Sequence, residues 1–573
     1  MPIDFDIHLL KQILTIKLLL PIFWIVGSVL IWKKAKDYWF LLLYTILSAL
    51  AYYIFANDMQ LMFWGLRGDE LTIAAMYEKM SHLPWKDFSY SNFTAFYPPL
   101  FFCLFGFLGS LLDFNGVQMA KLAAFVSLFL FPWLIYFIQK WYWNEKKEDI
   151  NLPHKLVFFL TPIIISLFID WDAFVQKPYE LLSVALSILW ISFLVLDIRR
   201  KSFGWKSFLI YGITGGIIFM TYYLWLVFGA IAISFYALSV PKKEQIRFYL
   251  RLLGVGVITL LVSSPYIFPL IATYQVNGSE NWQTILITSK GISLYAPMFE
   301  FVSLKSFLML GGFFSLLFFY KREYIKILFF IFLSSYIWQT VGFLTVLLFD
   351  TPIQEFKGFY FLNRTVLAFA LAYGIGELWG FLKKTKSFNK FEKPVLLVAL
   401  LFLSTQMFFG FFIDNPKVQS RLVESRFLSA PIADLVKFLE EDKEIEQKTI
   451  LHSGIVELNA FLPINNFIYF NQHNSHPAAL FSGRLSFIKN LSLSGNAEEF
   501  YNLSSSNFYS PIDRFILYKK DQGIYNLAFE IDNFPNLSKG LVVEIKKDLI
   551  VEPFFTKVYE NKEYVVWDRV EIE

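Results

Sequence analysis

The sequence predicts an α-helical polytopic membrane protein of about twelve spans that carries a C-terminal extracytoplasmic α/β domain. Three observations lead to that class. Hydrophobic residues fill 56% of the 573 positions and aromatic residues 20%, more apolar surface than a water-soluble core uses. The charged residues, only 17%, cluster in short stretches between long apolar runs. Beyond about residue 413 those runs stop, and short segments of alternating polarity replace them.

Residues 13–32 are long and apolar enough to cross a bilayer and lack the small-residue cleavage site of a signal peptide, so a retained helix is expected. The basic stretch Lys33-Lys34-Ala35-Lys36 marks the cytoplasmic side and sends the second span, 38–56, back out. A large external loop, 57–116, follows. Its apolar piece at 98–112 is short for a crossing and is expected to lie at the interface under the loop. A third span is expected at 117–139. Further spans at 155–169, 180–197, 206–220, 222–239, 252–272, 301–320, 325–349, 364–382 and 394–413 alternate with basic loops at Arg199-Arg200-Lys201, Lys242-Lys243, Lys321-Arg322 and Lys383-Lys384. All of those loops fall inside, and both termini fall outside. Residues 1–413 then form the membrane domain, the catalytic part of the chain. Residues 414–573 form a soluble domain of ordinary single-core size, with a helix at 431–441 and strands near 449–451, 466–470, 514–518, 541–545 and 563–567.

Composition excludes some functions. The net charge of +4 resides in short loops where the positive-inside rule accounts for it, so no nucleic-acid partner is expected. The single cysteine, Cys103, precludes an intrachain disulfide. Neither a glycine-rich phosphate loop nor a Gly-x-Ser-x-Gly elbow occurs, which argues against a nucleotide-driven pump and a serine hydrolase.

Polar groups concentrate in three external loops. In the first, Arg67-Gly68-Asp69-Glu70 places two carboxylates just outside the membrane, where a general base must lie if a membrane-held donor is to meet an aqueous acceptor. Asp69 and Glu70 can supply the base and a metal ligand or second carboxylate. In the second loop, Lys177-Pro178-Tyr179-Glu180 sets a cation where a helix re-enters the bilayer, with Tyr179 as a sugar-stacking ring. In the third, Arg364 lies at the mouth of a span, where a guanidinium can grip a phosphate. Cations at helix ends also snorkel to the interface with no further role, and that reading stays open for Lys177 and Arg364. In the soluble domain His473 and His476 lie three apart and Arg484 follows. The two imidazoles can bind a sugar, hydrogen-bond locally or join a metal site, although no third ligand has a spacing that requires one. The sequence demands no cofactor and leaves room for a divalent cation.

These residues resemble a known family. The many spans, the acidic pair in the first large external loop, Tyr97-Pro98-Pro99-Leu100 and the C-terminal domain resemble the GT-C class of polyprenyl-phosphate-sugar glycosyltransferases. Gly68-Asp69-Glu70, Phe96-Tyr97-Pro98, Lys177-Pro178-Tyr179-Glu180 and the segment from Gln472-His473 to Pro477 are similar, more narrowly, to galactan arabinofuranosyltransferases. Where that family often has Gly-Asp-Gln, this chain has Gly-Asp-Glu. The resemblance implies inverting transfer of a sugar, by likeness arabinofuranose, from a polyprenyl-phosphate donor to a cell-envelope glycan acceptor at the outer face of a bacterial plasma membrane. It implies Asp69 as base, Lys177, Arg364 and Arg67 at the donor phosphate, and Tyr97, Tyr179, Glu180, His473, His476 and Arg484 at the sugar or acceptor. A transporter or flippase of lipid-linked saccharide is the alternative, but it needs polar groups through the bilayer core, and here Glu377 is the main ionisable residue inside a span.

Overall fold

The computed structural model describes residues 6–571 except 33–37, 146–155, 201, 281–294, 302, 352, 354–356, 386–387, 407, 409–411, 522 and 534–535. The basic stretch at 33–36, one support for the expected orientation, therefore lies outside the described residues. Among the described residues seven helices are long and apolar enough to cross a membrane: Ile7–Ile31, Tyr38–Ala56, Gly116–Asn144, Pro178–Ile198, Lys242–Asn277, Glu323–Phe349 and Lys357–Leu382. Four shorter apolar helices, Leu100–Leu112, Leu156–Phe168, Leu224–Ala237 and Leu304–Phe318, complement them. Every expected span overlaps one of these helices, Trp205–Tyr222 or Phe388–Gln406, and residues 407 and 409–411 of the span expected at 394–413 lie outside the described residues. Tyr223 alone separates the helices Trp205–Tyr222 and Leu224–Ala237. Helix Pro178–Ile198 is buried on nearly all sides and runs through the middle of the bundle. Leu104, Phe107 and Leu111 of the Leu100–Leu112 helix are exposed, an apolar face suited to lipid.

The loop at 57–116 is a folded unit. Its helix Glu70–His82 is buried along most of its length between the bundle and the soluble domain. At Gly116 a Cβ would stand 2.2 Å from the Ala74 carbonyl oxygen and 2.7 Å from that of Ala460, so only glycine permits this three-way approach. Lys79, fully buried, donates to Ser91 Oγ and to the carbonyls of Pro463 and Ile464, each at 2.8 Å, and so ties the loop to the C-terminal domain.

That domain is built on one mixed sheet. Its strands are β1 (Thr449–His452), β2 (Asn465–Asn466), β3 (Arg514–Asp521), β4 (Ile524–Asn533), β5 (Asn536–Lys546), β6 (Phe555–Glu560) and β7 (Tyr564–Arg569). β2, β1 and β3 are parallel, while β4, β5, β6 and β7 extend the sheet in antiparallel fashion. β1 and β4 share one edge of β3, pairing with its first and last residues, and β7 runs along the other edge. The segment expected as a strand at 466–470 is a strand only at its start, Asn465–Asn466. Its middle turns to the first loop, where Tyr469 N donates to the Tyr90 hydroxyl at 2.9 Å, and Phe470 and Asn471 then return to the sheet as an isolated bridge to Glu530 of β4.

Candidate active site

Asp69 precedes the Glu70–His82 helix as its N-cap, yet its carboxylate makes no capping bond to that helix. An aspartate there ordinarily caps the free amides. The chain arrives through Gly65, Leu66 and Gly68, all left-handed at φ 66°, 54° and 58°, a conformation costly for Leu66 and found where surrounding structure enforces it. That winding turns the carboxylate outward, half-exposed, and its Oδ2 accepts from Lys177 Nζ at 2.8 Å. Burial alone would raise the Asp69 pKa. The Lys177 ammonium outweighs it, with Lys357 and His473 adding, and the carboxyl is held below its ordinary value. Burial likewise disfavours the Lys177 charge, and Asp69 and Glu180 overcome that and raise its pKa.

Glu70 takes the opposite direction. It is fully buried, and its Oε2 accepts from Trp64 N at 2.6 Å, which braces the strained turn before Asp69. The two adjacent carboxylates therefore occupy different environments.

Three further ion pairs lie along the same segment. Glu180, buried, accepts from Lys357 Nζ at 3.0 Å, and Lys357 also sits over the Tyr222 ring. Asp170 accepts from Arg364 Nη1 at 2.8 Å and from Lys305 Nζ at 2.6 Å. Burial pushes the Asp170 pKa up, and the two cations bring it below the ordinary value. Residues 170–180 thus contribute one member of each of these four ion pairs.

The structure brings Asp69, Lys177, Glu180, Tyr97 and His473 into one electrostatic neighbourhood. Burial raises the Tyr97 pKa, and Asp69, Lys177 and Glu180 all act on its hydroxyl. Burial lowers the His473 pKa, and Asp69, Lys177 and Lys357 act on its ring. The remaining candidates are held by other partners, Arg67 in the wall of the same cavity as Asp69. Arg67, more than half exposed, pairs with Glu424 at 3.2 Å. Arg364 is engaged by Asp170 and stacks over Tyr360. Tyr179 is buried among Phe101, Phe102 and Tyr222. His476 is buried, its Nδ1 accepting from Ala478 N at 3.0 Å and its Nε2 facing the Thr94 carbonyl at 3.0 Å, so both ring nitrogens are used internally. Burial pushes its pKa down to about 4. Arg484 lines a separate cavity. Lys357, Asp170 and Lys305 are site residues that sequence reasoning did not single out. Lys357 stands in the polar-aromatic loop before Arg364, and a lone lysine there reads as an interfacial anchor until its partner is known.

Two cavities meet this neighbourhood. One, of about 600 Å³, is polar and has Asp69, Arg67, Gln176, Lys417 and Glu424 in its wall. The other, about 690 Å³, is an aromatic and aliphatic groove with Tyr97, Tyr222, Tyr223, Tyr266 and Leu260 along it. Among the described residues no cluster of three His, Cys, Asp or Glu side chains is placed to hold a metal ion.

Residues 10–370 match the sequence profile of the arabinofuranosyltransferase N-terminal family. The chain belongs to that family. No curated protein matches the chain in sequence. The family member described here is similar in structure to ArnT from Cupriavidus metallidurans bound to undecaprenyl phosphate, at 12% identity and a TM-score of 0.51, over 94% of this chain and 99% of that one. The apo state of that ArnT is similar at 12% identity and a TM-score of 0.49, over 92% and 98%. The archaeal oligosaccharyltransferase AglB from Archaeoglobus fulgidus, in complex with an inhibitory peptide and a dolichol-phosphate, is similar at 12% identity and a TM-score of 0.47, over 82% and 68%. The likeness to ArnT identifies the fold as GT-C, and with the family it makes the protein a membrane glycosyltransferase.

Proposed function

We propose that the protein transfers arabinofuranose, with inversion, from a polyprenyl-phosphate donor to a glycan acceptor at the extracytoplasmic face of a bacterial plasma membrane. Family membership supports the sugar. One observation carries the chemistry: the Asp69–Lys177 pair stands where a polar cavity, open to an aqueous acceptor, comes close to an apolar groove able to hold a prenyl chain. In this reading the acceptor hydroxyl gives its proton to Asp69 while its oxygen attacks the anomeric carbon. The bond from that carbon to the phosphate oxygen breaks, and polyprenyl phosphate leaves with the electron pair.

Lys177 serves both partners in turn. Without donor it neutralises Asp69 and keeps it a weak base. An incoming phosphodiester competes for the same ammonium, which loosens the pair and returns basicity to Asp69 as the leaving group gains its stabilising charge. Lys357, held by Glu180, adds positive charge, and Tyr97 flanks the reacting sugar. Binding of donor and activation of the base are thereby coupled.

The test is transfer of label from radiolabelled polyprenyl-phosphoryl sugars to acceptor in purified protein. Asp69→Asn keeps the shape and removes the proton acceptor, and the expected loss is about a hundred- to ten-thousandfold. A fully active variant refutes the mechanism. Preference for a hexosyl over the arabinofuranosyl donor refutes the sugar.

A further inference from the structure

Arg484 lies in the C-terminal domain on the wall of a cavity of about 230 Å³, roughly the room of one sugar residue, that shares no lining residue with the cavity at Asp69. Its side chain is 6% exposed, and among the described residues no carboxylate lies within ion-pair distance of it. Nε donates to Ala479 O at 2.7 Å and Nη1 to Phe467 O at 2.6 Å. A guanidinium has five N–H donors, so these two bonds leave donors to spare. Its plane is flanked by the rings of Tyr509 and Tyr90, 4.7 and 5.5 Å away. Burying a cation without a counter-charge is costly, and burial lowers the Arg484 pKa despite those rings.

The surroundings are those of a prepared site. The hydroxyl of Tyr509 would lie 2.3 Å from a Cβ on residue 483, so Gly483 is what allows that ring its place. The turn that carries Tyr509 is fixed by Asn507, whose Oδ1 accepts from Tyr509 N and Ser510 N at 2.9 and 3.0 Å. The same turn holds Phe508 at the cavity rim, 87% exposed, an apolar ring that its own domain does not cover. Asn92 of the first loop, exposed, sets its amide at the opening, while Asn465 and Asn466 line the floor with amides bonded to Ser91, Thr449, His452 and Ser89.

We propose that this cavity binds an acidic residue of a glycan, one carrying a carboxylate or a phosphate, with Arg484 taking the oxyanion, Phe508 stacking on a sugar face and the Asn92 amide meeting a hydroxyl. The anion supplies the counter-charge that the fold withholds, and charge-assisted bonds to a planar guanidinium are directional as well as strong. An exposed aromatic rim together with an amide is chemistry for a saccharide rather than for a bare ion. The inference rests on the reading of the chain as a transferase acting on an envelope glycan, and it makes the cavity a second hold on the acceptor, remote from the bond being formed.

Binding is measured directly, without turnover, by calorimetry on the full-length protein in detergent with digalacturonate, a hexose 1-phosphate, neutral digalactose and inorganic phosphate. At least one of the two acidic saccharides is expected to bind about tenfold or more tightly than digalactose, and which one does so distinguishes carboxylate from phosphate. Arg484→Gln should abolish that preference. Because Arg484 also supports the fold, the exposed positions give the second test: Phe508→Ala and Asn92→Ala should each weaken the acidic saccharide several-fold in a protein with unchanged thermal unfolding. Equal binding of neutral and acidic saccharides overturns the proposal. So does inorganic phosphate binding as tightly as the sugars, or affinity that none of the three variants alters. Binding without any transfer would count against the transferase reading alone, and transfer without acidic-saccharide binding against this site alone.

Discussion

At the scale of the residue, the unusual feature of Asp69 is what it declines to do. It occupies an N-cap position and leaves the helix amides uncapped, so its charge remains available to Lys177. The pH behaviour of transfer follows. With its carboxyl held below the ordinary value, Asp69 is deprotonated through the neutral range, and kcat/KM, which reports the donor-free enzyme, should persist as pH falls until that depressed pKa is crossed. Lys177→Ala removes the largest favourable charge and leaves burial, which raises the pKa, so the acidic limb of the pH–rate profile should move to higher pH while KM for donor rises. A profile unchanged in position, with donor KM unchanged, would leave Lys177 as an interfacial anchor only. Asp69 was singled out by its place just outside a span together with the resemblance to the GT-C class, since a Gly-Asp-Glu loop alone reads as solvated. The inward course of Glu70 was not, since it depends on three left-handed residues whose combined turn no local pattern specifies. Lys357 was hidden for a related reason: its partner Glu180 is 177 positions away in sequence.

At the scale of the element, the stretch from Asp170 to Glu180 organises the site by charge, and Gly116 organises the loop by space. Gly116→Ala forces a methyl group into two carbonyl oxygens, one from the Glu70–His82 helix and one from the Val456–Phe461 helix. Backbone must shift on both sides, an overpacking cost of about 1–3 kcal/mol. Thermal unfolding of the purified variant should show it, together with a loss of transfer as the Asp69 end of the helix moves. Unchanged stability would mean that the three elements separate easily and that the contact is not a constraint. The presence of the apolar helices was readable because long apolar runs admit few alternatives, but their ends were not: the span expected at 252–272 is the helix Lys242–Asn277, whose polar first turns carry no apolar signal. β4 went unread although Tyr525, Leu527, Phe529 and Ile531 alternate along it as a half-buried strand requires. The expected strand after Asn466 was read from the same kind of alternation, but there a hydrogen bond to the first loop interrupts the pairing and leaves an isolated bridge to β4.

At the scale of the whole molecule, the basic loops predict that the C-terminal domain and the segment near Lys384 lie on opposite sides of the membrane. Reporter fusions at residues 384 and 573 should report opposite compartments; a shared compartment would overturn the orientation and remove the aqueous acceptor from the Asp69 cavity. The sequence patterns conveyed helix positions and the loop of interest, while the way the far end of the chain folds back onto that loop is a long-range fact that no window of residues contains. Lys79 shows what this return entails. Two of its three hydrogen-bond acceptors are carbonyls of residues 463 and 464, which are synthesised almost four hundred positions after it. During translation the 57–116 loop emerges early but waits for these partners until residues 463 and 464 have been made. A chain cut short before residue 463 lacks both carbonyls and leaves the Lys79 ammonium to water where the finished protein has a sealed joint.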